Sequence, residues 1–248
     1  MDGSDADRST DRPELLSPMD EAPDPEVEDA LTASVLGKLG AAGFLPEPHT
    51  EFDPAAYRAL DDRVRAAFEV PHTTMTSLTR RVLFGLAAAH QPSTVLVLGC
   101  FVGYAAVWVF GPALPPAPLY PAARLTACDV FPPAVDGARA NFAALGAGAA
   151  VDVVLSDAAD LLAGLDGSID MLFLDVDSPD EGKRAYAPLL AAARPLLAPG
   201  ALVLAHDVTH PYYLDDVAPY RAMTRDKTLF RRTALLELDP CGLEVTLA

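Results

Sequence analysis

Three stretches in the first ninety residues place apolar side chains three and four apart, the spacing that lines one face of an α-helix. Leu31, Val35, Leu36 and Leu39 form the first, which Gly40 and Gly43 close. Asp53-Pro54 reads as an N-cap followed by proline at the first helical position, opening a helix whose apolar face is Tyr57, Leu60, Val64 and Phe68. A third helix is expected from Thr76 to His90, with Leu78, Val82, Leu83 and Leu86 inward. From residue 94 the pattern changes to short β-rich runs alternating with helical stretches, which signals βαβ units and a parallel sheet. The runs are Thr94 to Leu98, Arg124 to Val130, Val151 to Leu155, Asp170 to Leu174 and Ala201 to Ala205. Pro132-Pro133 starts the helix after the second run, Gly146 stops it, and the Pro-rich stretch from Pro112 to Pro121 reads as a loop. Phe230 to Asp239 and Leu243 to Leu247, joined by Pro240-Cys241-Gly242, read as a final antiparallel hairpin.

With 248 residues, 51% of them hydrophobic, the chain can bury one substantial core. The expected division is an acidic mobile tail over 1–30, a helical cap or lid over 31–90 and an α/β domain over 91–248. Residues 1–30 hold eleven acidic residues against Arg8 and Arg12, which accounts for 9 of the 17 net negative charges. They lack an apolar h-region, which argues against a secretory signal peptide. No segment reaches the roughly 20 apolar residues that span a bilayer, so no membrane partner is expected. No basic stripe is visible either, so nucleic acid is not an expected partner. Cys100, Cys128 and Cys241 are odd in number and without C-x-x-C spacing, which indicates neither a disulfide framework nor a zinc site. The expected location is therefore the reducing cytoplasm.

The candidate chemistry lies where the runs end. Val95-Leu-Val-Leu-Gly-Cys-Phe-Val-Gly-Tyr104 delivers a strand into a G-x-x-x-G turn and a helix-like segment from Tyr104 to Phe110. That arrangement suits a nucleotide-like ligand, but it has one glycine fewer than the dinucleotide fingerprint. In an open α/β sheet, ligands bind beyond the carboxyl ends of the strands. Asp129 ends the second run, 26 residues after Gly103, where a carboxylate would take the two ribose hydroxyls. Asp157 follows the third run and suits an adenine amino group or, equally, a helix cap; for Asp129 the cap is the lesser reading. Asp175 and Asp177 follow the fourth run and His206-Asp207 the fifth, so titratable groups would converge on one cleft.

These residues resemble the class I S-adenosylmethionine-dependent methyltransferases, in particular the small-molecule O-methyltransferases of the catechol and caffeoyl-CoA type. The resemblance covers roughly residues 50 to 248. It rests on the glycine turn, Ala-Cys-Asp129-Val-Phe-Pro-Pro, Leu-Ser-Asp157-Ala, Ile-Asp-Met-Leu-Phe-Leu-Asp175-Val-Asp and the run ending Ala-His206-Asp207-Val. It implies a Rossmann-like sheet of seven strands, mostly parallel with an antiparallel last strand, helices on both faces and an N-terminal helical extension. It also implies S-adenosyl-L-methionine as cofactor. Gly99, Cys100, Phe101, Gly103 and Tyr104 would line its methionine and ribose side, and Asp129 would hold the ribose. Val130 and Phe131 would flank the adenine, and Asp157 with Ala158 would face its edge. The family commonly dimerises through N-terminal helices, which this pattern permits.

The chain departs from the family at three places. The metal-dependent members bind a divalent cation with an Asp after strand four and an Asp-Asn pair after strand five. Asp175 matches the first, but His206 and Asp207 replace the pair, which tilts preference towards softer metals such as Zn²⁺, Mn²⁺ or Fe²⁺. Beside that metal reading stands a metal-free one, in which His206 is a general base or merely braces the loop. Second, the Lys expected three residues beyond Asp175 is Ser178. The segment Ser178-Pro179-Asp180-Glu181 reads as a capping box that would start a helix and carry Lys183 away from the site. Third, Val97 stands where a strand-one acid usually fixes the methionine end, which leaves Asp175 to bind the ammonium.

The expected reaction is methyl transfer to a small-molecule acceptor of secondary metabolism, through a hydroxyl. Asp175, His206 and Asp207 are its candidate catalytic groups, and Trp108, Asp177, Tyr212 and Tyr213 line the acceptor; Trp108 suits the core as well. Cyclisation of the cofactor's aminobutyrate arm with release of methylthioadenosine is the alternative, and a non-catalytic binding protein of the same fold is the third.

Overall fold

The computed structural model describes residues 24–46, 51–73, 75–178 and 181–248. Helices α1 (Pro25–Ala41), α2 (Pro54–Ala67) and α3 (Ser77–His90) lead into β1 (Thr94–Leu98) and α4 (Tyr104–Phe110). Then come β2 (Arg124–Asp129), α5 (Pro132–Ala144), β3 (Asp152–Leu155), α6 (Ala158–Ala163), β4 (Ile169–Leu174) and α7 (Tyr186–Ala193). The chain ends with β5 (Leu197–His206), α8 (Leu214–Arg225), β6 (Arg232–Leu236) and β7 (Leu243–Leu247).

The seven strands form one sheet in the order β3-β2-β1-β4-β5-β7-β6, with β7 antiparallel to both of its neighbours. Alternation along β1 feeds two cores. Val95 and Val97 face the side covered by α1 to α5, whereas Leu96 and Leu98 face the side covered by α6 to α8. The strand order reverses between β1 and β4, which opens a crevice at their carboxyl ends. Helices α1 to α3 share the first core with the sheet, so the N-terminal extension is continuous with the α/β body. No helix among the described residues is long and apolar enough to cross a membrane.

Two expectations about local structure are corrected. The segment from Asp24 to Ala30, assigned to the mobile tail, is the start of α1; the rest of that tail lies outside the described residues. Asp24 accepts from the backbone N–H groups of Glu26 and Val27, and Pro25 stands at the first helical position. Glu28 and Asp29 pair with Arg81 of α3 at 2.6 and 3.1 Å, anchoring that first turn. Leu31 is left 46% exposed, and Thr32, Leu36 and Leu39 face inward instead.

The second correction concerns the helix expected after Ser178. Pro179 and Asp180 lie outside the described residues, but Glu181 to Ala185 is a turn, and α7 opens only at Tyr186. Ser178 and Gly182 exchange backbone hydrogen bonds of 2.8 and 3.2 Å, and Gly182 has a positive φ of 56°. A reversal of that kind re-aims the side chain that follows it, which is Lys183.

Candidate active site

The glycine turn after β1 sits in the crevice, and its glycines answer to the protein's own backbone. A Cβ on Gly99 would lie 2.5 Å from the Val176 nitrogen, so its absence lets the end of β4 lie against the turn. A Cβ on Gly103 would lie 2.9 Å from the Phe142 ring of α5. Both have positive φ, near 80°, where L side chains are disfavoured. Asp129 ties the turn to the strand beside it: one carboxylate oxygen accepts from the Phe101 N–H at 2.8 Å, the other from the Phe131 N–H at 3.0 Å. Each oxygen can accept a further bond, which leaves capacity for two hydroxyls.

A cavity of about 590 Å³ opens beyond these strand ends. Of the residues singled out from sequence, Gly99, Cys100, Phe101, Tyr104, Asp129, Val130, Phe131, Asp175, Asp177, His206, Asp207 and Tyr213 line it. Val130 and Phe131 are 65% and 55% exposed at its rim, apolar surface open to a flat ligand. His72, Thr73 and Met75, from the segment joining α2 to α3, close the opposite wall, and the His72 ring lies 5.3 Å from that of Phe101.

Five expected residues do not line the cavity. Trp108 is fully buried between Tyr57 and Tyr104, because α4 turns that face into the core. Asp157 caps α6, accepting from the N–H groups of Ala159 and Asp160, and Ala158 is buried beneath that helix. Tyr212 packs edge-on against Tyr213, 4.8 Å between centroids. Gly103 lies behind the wall, against Phe142. Val97, too, faces the core rather than the ligand space. The Cys100 thiol does line the cavity, but burial and the nearby Asp129 push its pKa up, which keeps it protonated and unreactive.

The chemistry concentrates on the floor. Lys183, expected to point away, places its Nζ 2.8 Å from Asp175 Oδ1 and 2.8 Å from Asp207 Oδ2, with its side chain 1% exposed. Its ammonium also lies 5.4 Å from the ring centroids of Tyr186 and Tyr213. His206 is bracketed by carboxylates, Nδ1 3.2 Å from Asp207 Oδ1 and Nε2 3.0 Å from Asp239 Oδ2. Asp239, in the turn before β7, further accepts from the backbone of Cys241 and Gly242 and from the Thr79 hydroxyl of α3. Nothing in the sequence pattern except the Asp-Pro-Cys-Gly turn pointed to Asp239. The Tyr213 hydroxyl donates to Asp177 at 2.9 Å.

These contacts divide the titratable groups by role. Burial opposes the charge on His206, but Asp207 and Asp239 outweigh it and push its pKa up to about 9. It is therefore protonated at neutral pH and has no lone pair for a base. Burial alone would raise Asp207 too, yet Lys183 and His206 hold it down at about 2. Asp175 goes the other way: burial raises it, and Lys183 offsets only part of that. Lys183 loses charge preference to burial but gains more from Asp175 and Asp207, so it stays an ammonium. Lys183 and His206 face Asp175, Asp207 and Asp239, with Asp177 in the cavity wall besides, so carboxyl groups outnumber cations there, which suits a cationic ligand.

Asp175, His206 and Asp207 each bring one ligand atom within 4.8 Å of the others, the spacing of a metal site. The donor set does not fit a divalent cation. The two carboxylates already share the Lys183 ammonium, and a metal-ligating imidazole must be neutral, whereas His206 is hydrogen-bonded through Nε2 to Asp239 and has the Asp207 carboxylate 3.2 Å from Nδ1, surroundings that favour its charged form.

Residues 96–208 match the family model of a methyltransferase domain. Over 169 residues the chain is 30% identical to a catechol O-methyltransferase of Mycobacterium tuberculosis, covering 68% of this chain and 66% of that one, just under two thirds of the relative's length. Among solved structures, the O-methyltransferase TomG of Streptomyces achromogenes, in complex with SAM, superposes with a TM-score of 0.61 at 19% identity, covering 92% of this chain and 99% of that one. An O-methyltransferase of Bacillus cereus, in complex with SAH, does so with a TM-score of 0.58 at 15% identity, covering 89% and 99%. At those identities the structural likeness speaks for the fold.

Proposed function

We propose that this chain, which matches a methyltransferase-domain model and is similar to a catechol O-methyltransferase, methylates a hydroxyl oxygen of a small-molecule acceptor. The observation that carries this reading is one cavity with two unlike ends. At one, Asp129 stands with the exposed Val130 and Phe131; at the other, Asp175 and Lys183 form the floor. A nucleoside fits the first and an ionisable hydroxyl the second.

Asp129 would hold the ribose hydroxyls, and Val130, Phe131 and Phe101 would cover the adenine with apolar surface. Bound there, S-adenosylmethionine supplies a methyl on a sulfonium, which a hydroxyl oxygen can take while the sulfur keeps the bonding pair. The negative floor attracts that positive charge. Of the three candidate bases, only Asp175 is suited to the acceptor's proton. His206 is already protonated, and Asp207 is held too acidic. Asp175 is also the most open of the three, with 21% of its side chain exposed, and its pKa is raised by burial. A positioned base of that kind contributes about 10²- to 10⁴-fold. His206 acts at one remove, fixing Asp207 to the β7 turn through Asp239.

The test is to incubate the purified protein with S-adenosylmethionine and a panel of phenols and catechols, following S-adenosylhomocysteine and methylated product by mass spectrometry. Product that requires both the cofactor and an acceptor supports the assignment. Methylthioadenosine formed from the cofactor alone overturns it in favour of cyclisation.

A further inference from the structure

We propose that the Lys183 ammonium stands in for a divalent cation, so that methyl transfer needs no metal and the acceptor is gripped through a single hydroxyl rather than a chelating vicinal pair. The inference rests on the methyltransferase reading above and deepens it.

The ammonium bridges the two carboxylates that a cation would need, at 2.8 Å to each. It is built into place rather than resting there by chance. Gly182 turns the chain at φ 56°, and a Cβ on that glycine would lie 2.3 Å from Asp216 Oδ2. Asp216 in turn holds Arg184, Oδ1 to Nε 3.0 Å, so the residues on both sides of Lys183 are fixed against α8. The Tyr186 and Tyr213 rings flank the charge, which favours a cation over any neutral occupant. His206 is turned towards the β7 turn independently, its Nε2 hydrogen-bonded to Asp239.

The exchange alters what the site can recognise. A divalent cation with open coordination positions can take two neighbouring oxygens of one acceptor at once. An ammonium has three N–H donors, and two here are directed at Asp175 and Asp207. At most one donor remains for an acceptor oxygen. Monohydric phenols and other single acidic hydroxyls therefore become substrates on equal terms with catechols, since a second oxygen gains no ligand.

Two measurements test this without relying on each other. Calorimetric titration of Mn²⁺ or Mg²⁺ into chelator-dialysed protein loaded with S-adenosylhomocysteine is expected to show no saturable heat. In Lys183→Ala, which frees the two carboxylates, Mn²⁺ binding should develop. Saturable binding to the unaltered protein that Asp175→Asn abolishes would overturn the proposal, whether or not Lys183→Ala folds. In the second measurement, methylation of a monohydric phenol should persist undiminished in EDTA; methylation confined to catechols and lost on chelation would also overturn it. Failure of every acceptor to react would count against the methyltransferase assignment, while the metal titration would still decide the role of Lys183.

Discussion

The ion pairs around His206 make the stability of the protein depend on pH in a defined direction. An imidazole in an unfolded chain has a pKa of about 6.5, and in the fold Asp207 and Asp239 push His206 up to about 9. Between those values the folded protein holds a proton that the unfolded chain releases. The stabilisation is thus fully present below about pH 6.5 and is lost as pH rises through about 9. A gap of about 2.5 units at 1.36 kcal/mol each amounts to about 3 kcal/mol, with a slope near 1.4 kcal/mol per pH unit inside the window. The assay is urea unfolding of the parent protein and of His206→Gln at intervals from pH 5.5 to 10. Taking the difference between them removes titrations common to both, such as that of His90, whose pKa burial lowers. The advantage of the parent over the variant should shrink by about 3 kcal/mol across the series. Two curves running parallel over that range would refute the assignment of His206 as a charged brace.

Three further outcomes follow from named contacts. Gly182→Ala places a methyl 2.3 Å from Asp216 Oδ2 at a positive φ; it should cost about 1–3 kcal/mol in thermal unfolding and depress methyl transfer more than cofactor affinity, because Lys183 is displaced. Asp129→Ala should weaken S-adenosylhomocysteine binding by about ten- to a hundredfold in calorimetry, the worth of hydrogen bonds to a charged group; unchanged affinity would remove Asp129 from the cofactor site. Trp108→Ala should cost about 3–5 kcal/mol in urea unfolding as a core cavity, whereas Trp108→Phe should leave acceptor turnover unchanged, since that ring does not reach the cavity.

Which parts of this architecture could be read from sequence follows from how local each signal is. The run Thr94 to Leu98, the helix Tyr104 to Phe110 and the terminal hairpin match β1, α4 and the β6–β7 pair because hydrophobic period and turn chemistry act over a few residues. The positions of Asp129, Asp175, His206 and Asp207 were legible because strand ends in an open α/β sheet share one edge. Lys183 was not. Ser178 to Glu181 carries a true local capping pattern, and Ser178 Oγ does accept from the Glu181 N–H at 3.3 Å, but the Ser178–Gly182 reversal overrides the helix that would normally follow. The glycine at 182 was the available clue, since a glycine directly before a lysine can adopt a positive φ and re-aim it. Asp239 was hidden for a different reason: its partners Thr79 and His206 lie 160 and 33 residues away in sequence. For Asp157 and Trp108 the sequence left two roles open, and the structure shows the simpler one, a helix cap and a core ring.

Strain and charge at the cavity point to a site that is set before any ligand arrives. Phe101 and Asp207, just beyond the ends of β1 and β5, have φ of 46° and 61°, a region that non-glycine residues enter at a cost of about 1–3 kcal/mol each. Each is tethered by a charged hydrogen bond: Phe101 through its N–H to Asp129, Asp207 through its carboxylate to Lys183. Charge-assisted bonds contribute about 1.5–3 kcal/mol, enough to offset such strain and no more. The tethers also hold the two ends of the cavity, Asp129 at the end proposed for the nucleoside and Lys183 at the end proposed for the acceptor. Removing either one should therefore release the strained residue beside it, so that loss of Asp129 loosens the glycine turn and loss of Lys183 loosens the β5 end. Alignment of two reactants is the chief requirement of an in-line methyl transfer, and in the proposed reaction it would rest on two strained residues, Phe101 held by Asp129 and Asp207 held by Lys183 with His206 beside it.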